Sequence, residues 1–186
     1  MNLDLVPAGS NPPESVNVLI EVPIGGEPIK YELDKESGAI FVDRILHTPM
    51  RYPANYGFLP RTLGDDGDPL DVLVLMSEPV VPLSVVRARA IGALRMRDKA
   101  THDERTLASD EKIIAVCLDD PGWRNYESLD ALPPHILKSI ERFFLDYKTL
   151  EEKVVETDGY LDRAGAVAVI QEAIERYARE SGTRGG

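Results

Sequence analysis

Asp66-Gly67-Asp68-Pro69-Leu70-Asp71-Val72-Leu73-Val74-Leu75 joins an acidic loop to an apolar run. The run from Asp71 to Met76 predicts a buried strand. Gly67 and Pro69 shape the loop before it. Asp71 therefore opens a strand inside the protein, where an unpaired carboxylate is costly unless a cation or a donor meets it. Hard divalent cations take oxygen ligands of this kind. Two readings stay open on these residues alone, a metal site and an ordinary polar turn. Spacing rules out an EF-hand: with Gly67 in the glycine place, the first ligand position falls on Thr62 and the twelfth on Leu73.

Working outward, Val16 to Val22 and Pro28 to Leu33 are short β-rich runs separated by the turn residues Pro23 to Glu27, which predicts a hairpin. Ala39 to Arg44 continues the meander. Leu46 to Arg61 holds Pro49, Pro53 and Pro60, so no long regular element is expected there. Ser84 to Met96 and Lys112 to Leu118 complete about five strands, joined by a polar connection from Arg97 to Glu111. Two helices follow, at about 133–148 and 163–179. The first starts at Pro133-Pro134, where proline loses no needed hydrogen bond, and the second is capped by Asp162. Short strands followed by helices predict a mainly β, α+β fold: a small barrel at about 16–118 with two C-terminal helices packed outside.

The chain has 186 residues and suits a single domain spanning 1–186. Its net charge of −11 argues against a nucleic-acid partner, which needs a basic footprint. A phosphorylated ligand stays compatible, because carboxylates hold divalent cations and cations hold phosphate. The one cysteine, Cys117, lies in an apolar run and reads as a buried small hydrophobe. No signal peptide and no membrane span is expected, which places the protein in the cytoplasm.

Other residues carry possible chemistry. Glu21 interrupts the first strand, Lys30 and Glu32 share one face of the second, and Arg44 closes the third. Each alone reads as a rim ion pair or a solvated residue; together they suit a pocket for a polyanion and metal. Tyr52 and Tyr56 in a proline-bounded loop read as packing or as hydroxyl donors. Lys148 after Tyr147 complements the end of the first helix. Asp98, Asp103, Glu104, Asp110 and Glu111 read mostly as an exposed acidic segment. His47, His102 and His135 show no ligand spacing. No P-loop, dinucleotide fingerprint, nucleophile elbow or cysteine pair is present.

The acidic segment Asp66 to Val74 resembles the signature of the soluble family I inorganic pyrophosphatases. So do Val6-Pro7-Ala8-Gly9, Ile20-Glu21-Val22-Pro23, Lys30-Tyr31-Glu32, Gly38 to Arg44, Tyr52 to Gly57 and Tyr147-Lys148. The resemblance implies a five-stranded OB-like barrel with helices, and hydrolysis of pyrophosphate to two phosphates with several Mg²⁺ ions, Mn²⁺ being a possible substitute. It implies Asp66, Asp71 and Asp110 as principal metal ligands and Asp98 in a further metal site. Glu21 and Glu32 would hold metal directly or through water. Asp68 would be the general base. Lys30, Arg44, Tyr56, Tyr147 and Lys148 would bind phosphate oxygens, with Tyr52 in support. Chain size resembles that of bacterial members, which implies a homohexamer. The connection from Asp98 to Asp110 is longer than usual in the family, so Asp103 competes with Asp98, and Lys99 stands where an acid is common. Leu83 replaces a usual glycine in a turn. A binding module without catalysis would have no need of Asp68, and an oligonucleotide-binding barrel conflicts with the charge.

Overall fold

Nearly every residue of the first strand, β1 (Val16–Val22), is buried, so both of its faces are covered. The computed structural model, which describes residues 5–98, 109–151 and 155–183, shows what covers them. A hairpin of β2 (Ile29–Leu33) and β3 (Ile40–Ile45) stands as its own two-stranded sheet. After it come β4 (Asn55–Phe58), β5 (Asp71–Leu75), β6 (Val85–Asp98) and β7 (Ser109–Cys117). These four join β1 in the order β1-β4-β5-β7-β6, and β1 pairs with β6 to close a five-stranded barrel. Helix α1 (Pro134–Asp146) follows, then β8 (Val155–Leu161), which pairs with the far end of β6, and helix α2 (Arg163–Thr183).

Alternation along the central strands feeds two cores. Leu73 and Leu75 of β5 and Ile114 and Val116 of β7 share a cluster with Ile140, Phe143 and Phe144 of α1. Val72, Val74, Ile113 and Ala115 share the other with Ala166, Ile170 and Ala173 of α2. Period-two side chains with an apolar layer on each side give the unbroken hydrophobic runs seen in the sequence. Pro134 occupies the first turn of α1. Asp162 caps α2, its Oδ1 accepting the Gly165 N–H at 2.8 Å.

The barrel and its two helices agree with the sequence reading. The expected hairpin of β1 with β2 does not form: β1 pairs with β4 and β6, and β2 pairs with β3, because β1 is taken up on both edges by the ring. Two strands also escape that reading. β4 lies inside the proline-rich stretch, where no long regular element is expected and none forms; it is four residues long, too short for periodicity to register. It nonetheless belongs to the ring, whereas β2 and β3 stay outside it. β8 carries Gly159 at φ +77 and polar residues, so it too gave no strand pattern. Leu83 adopts φ +71, the left-handed conformation that favours glycine. Cys117 is buried. No helix among the described residues is long and apolar enough to cross a membrane.

Gly57 makes the tightest crossing of β4 over β1: a Cβ there would sit 1.9 Å from the Leu19 carbonyl oxygen. Backbone cannot yield as a side chain does. Gly57→Ala is expected to cost about 3 kcal/mol in urea denaturation; a loss under about 0.5 kcal/mol, the range of ordinary surface changes, would contradict this crossing.

Candidate active site

β5 and β7 run parallel, with Val72 opposite Ile113. The start of β5 therefore meets the first half of β7 at one end of the barrel. Asp71 stands beside Lys112, and Asp110 lies two residues earlier on the same face of β7. The Lys112 ammonium donates to Asp110 Oδ1 at 2.6 Å and makes a shorter contact with Asp71 Oδ2. Lys112 is only 5% exposed. Burial opposes its charge, but the Asp71 and Asp110 carboxylates outweigh that and hold its pKa above the usual lysine range. Lys112 was not among the site residues read from the sequence. Its signal was position: a lysine two residues after Asp110, entering the apolar run Ile113 to Cys117.

The acidic loop is built on Thr62, which is 1% exposed. Its Oγ1 donates to the Leu59 carbonyl at 2.6 Å and accepts the Leu70 N–H at 3.0 Å. Helix α2 fastens the other side. The Leu63 N–H donates to the Ala173 carbonyl, and Arg176 donates to the Leu63 carbonyl at 2.8 Å and pairs with Asp65 at 2.5 Å. Within the loop, Asp66 Oδ1 accepts the Asp68 N–H at 3.0 Å, and Gly67 takes φ +89. Burial lifts the Asp66 carboxyl above the ordinary aspartate range. Asp68 is the outermost acid, with a side chain 74% exposed and paired to Lys35 at 3.0 Å.

Glu21 is buried in β1 and accepts the Leu33 N–H at 2.7 Å, which ties the outlying hairpin to the barrel. Burial pushes its carboxyl up to about 7. On the hairpin, Lys30 is opposite Arg44. Two like charges face each other there, and Asp43 Oδ2 resolves the conflict by pairing with both at 3.1 Å. Lys30 also reaches Glu32 at 3.4 Å, as their shared face requires.

The tyrosines form a buried aromatic group. Tyr52 lies 5.1 Å from Tyr56 and 4.7 Å from Phe143 between ring centroids. Tyr147 stacks on Phe143 at 5.1 Å. Burial, followed by the Asp71 charge, keeps the Tyr56 hydroxyl protonated far above the usual tyrosine range. Arg44 and Lys148 lie over the Tyr147 ring at 5.9 and 5.3 Å.

A cleft of about 150 Å³ brings most of the expected residues together: Glu21, Lys30, Glu32, Tyr56, Asp66, Asp68, Asp71 and Asp110 line it. Arg44, Tyr52, Tyr147 and Lys148 do not line it. They form an adjoining group, joined to the cleft through Asp43 on Lys30 and through the Tyr52–Tyr56 contact. The Asp98 side chain and all of Asp103 lie outside the described residues.

Among the described residues, no three acids are drawn close enough to enclose an ion as they stand. The chemistry of the cleft nonetheless fits divalent cations. Its acidic groups are all oxygen donors, as hard cations prefer. Asp71 and Asp110 already converge on one positive charge, that of Lys112.

Residues 18–178 match the family model described as inorganic pyrophosphatase. The chain is 51% identical over 180 residues to the inorganic pyrophosphatase of Xanthomonas campestris, covering 95% of this chain and 97% of that one. It is 49% identical over 178 residues to that of Xylella fastidiosa, covering 95% and 97%. The crystal structure of inorganic pyrophosphatase from Thermus thermophilus superposes with a TM-score of 0.88 at 38% identity, covering 96% and 99%.

Removing the Lys112 charge leaves Asp71 and Asp110 facing each other in a buried setting. Without added divalent metal, Lys112→Met is expected to destabilise the chain by about 3 kcal/mol in urea denaturation. An unchanged midpoint would show that the ammonium does not bridge the two acids.

Proposed function

The chain belongs to the inorganic pyrophosphatase family, and we propose that it hydrolyses pyrophosphate to two phosphates in the cleft at the shared end of β5 and β7. The observation that carries this reading is the cluster of Asp71, Lys112 and Asp110, set among further carboxylates and beside Lys30 and Tyr56. A cleft of one charge sign suits a cationic ligand. Cations set among carboxylates suit a polyanion that arrives with metal.

Asp66, Asp71 and Asp110 would be the principal metal ligands, with Glu21 and Glu32 holding metal directly or through water. Asp98 joins this set by family likeness alone. Mg²⁺, several ions per site, is the metal we assign, with Mn²⁺ as a substitute because both accept oxygen ligands. When bound, such ions neutralise the polyanion and make water more acidic.

The chain's own groups do the remainder. A water oxygen forms the new bond to phosphorus, its proton passes to a carboxylate oxygen of Asp68, and the bridging P–O bond breaks. The electron pair leaves with the second phosphate. Lys30, Arg44 and Lys148 stabilise that departing charge. Tyr56 stays protonated across the working range, so its hydroxyl can donate to a phosphate oxygen. The Tyr147 hydroxyl donates to a phosphate oxygen from the adjoining group, and Tyr52 supports both rings. Phosphoryl transfer depends on positioning and electrostatics, so no covalent nucleophile is needed. By likeness to bacterial relatives, the chain works as a cytoplasmic homohexamer.

Phosphate release from pyrophosphate is expected to require Mg²⁺ and to fall at least about 100-fold in Asp68→Asn, with an unchanged unfolding midpoint. A folded wild-type chain that binds metal and releases no phosphate would overturn the hydrolytic reading. Full activity in the variant would remove Asp68 from the role of base.

A further inference from the structure

Glu151 is an acid that the reaction so far leaves without a task. It sits in a 3₁₀ turn, Thr149–Glu151, just past Tyr147 and Lys148. Its side chain is 10% exposed, and its Oε1 lies 3.4 Å from Arg44 Nε. Both atoms are buried, and neither has a hydrogen-bond partner among the described residues. Arg44 is therefore the cation that faces the buried Glu151 carboxylate, and Glu151 is the acid that faces Arg44 Nε. A buried carboxylate without a solvent shell is costly unless a cation faces it.

This pairing ends a row of alternating charge. Lys30 lines the cleft; Asp43 Oδ2 is 3.1 Å from Lys30 Nζ and 3.1 Å from Arg44 Nη1; Glu151 closes the row at Arg44 Nε. Arg44 is thus held on two edges of its guanidinium, with the Tyr147 ring on its flank at 5.9 Å. A planar fork held on two edges has few orientations left.

The turn itself is anchored. The Glu151 N–H donates to the Lys148 carbonyl at 2.9 Å, and Thr149 Oγ1 donates to the Asp146 carbonyl at 2.8 Å. Phe143 and Phe144 fix the preceding helix in the core. Tyr147, Lys148 and Glu151 therefore arrive together on one short segment.

We propose that Glu151 is a positioning residue, which aims the Arg44 guanidinium so that its outer donors meet a phosphate oxygen. The proposal rests on the hydrolytic reading above. Glu151 touches no substrate on this account; it acts through Arg44.

The test is a cycle of Glu151→Gln, Arg44→Ala and the double variant. Phosphate release is measured with Mg²⁺, pyrophosphate binding by calorimetry, and folding by urea denaturation. Glu151→Gln, nearly isosteric and neutral, is expected to lower kcat/KM about tenfold and to weaken binding while it stays folded. On an Arg44→Ala background the same change is expected to do nothing further, because there is no guanidinium left to aim. Wild-type kcat/KM in Glu151→Gln would overturn the proposal. So would an equal additional loss on the Arg44→Ala background, which is what a purely structural role produces. If the wild-type chain binds pyrophosphate but releases no phosphate, the hydrolytic reading falls, and the binding arm of the cycle still decides Glu151.

Discussion

The parallel pairing of β5 with β7 is the constraint from which the rest of the site follows. Two parallel strands start at the same end, so residues near their starts become neighbours. Here those residues are Asp71, the first of β5, and Asp110 and Lys112 in the first half of β7. An antiparallel pair would have put them at opposite ends of the barrel. Since both strands lie between two apolar layers, the charged groups have nowhere to sit except that end. The net stability of the ion cluster is a balance. Desolvation opposes the charges, and their mutual attraction offsets it only while all three are present.

Around this centre the fold gathers both kinds of group. The barrel and its acidic loop bring most of the carboxylates, with Lys112 among them. The outlying hairpin brings Lys30 and Arg44 beside Glu32 and Asp43, and the end of α1 brings Tyr147 and Lys148. Two ties hold the parts in register. Glu21 reaches from β1 to the Leu33 N–H, and Arg176 of α2 grips the acidic loop at Leu63 and Asp65. A polyanion that carries its own cations can then meet positive protein groups while its cations meet the carboxylates. This arrangement also reconciles a net charge of −11 with an anionic substrate.

Much of this was legible in the sequence, for physical reasons. Asp66, Asp68 and Asp71 stood out because acids directly before a buried strand are expensive without a partner. Lys30 and Glu32 fell on one face because strand side chains repeat every two residues, and they do meet. The family resemblance pointed to Glu21, Tyr56 and Asp110, and the fold does bring them to the cleft. Other features were hidden. β4 is too short and too proline-bounded to show a period, and its place in the ring depends on Gly57 crossing β1. Lys112 resembled any lysine ahead of a strand until the parallel register put it between two acids. Asp43 and Glu151 act on side chains distant in sequence or across a hairpin, so nothing in their own neighbours marked them.

The central claim is that the acids gathered by β5 and β7 bind the divalent cation that the reaction needs. Mn²⁺ binding to the wild-type chain and to Asp71→Asn, followed through the paramagnetic resonance signal of the free ion, tests it directly. The account predicts binding by the wild-type chain and a loss of at least about tenfold in affinity when a carboxylate ligand at the centre is neutralised. Equal affinity in the two chains, with both folded, would contradict it.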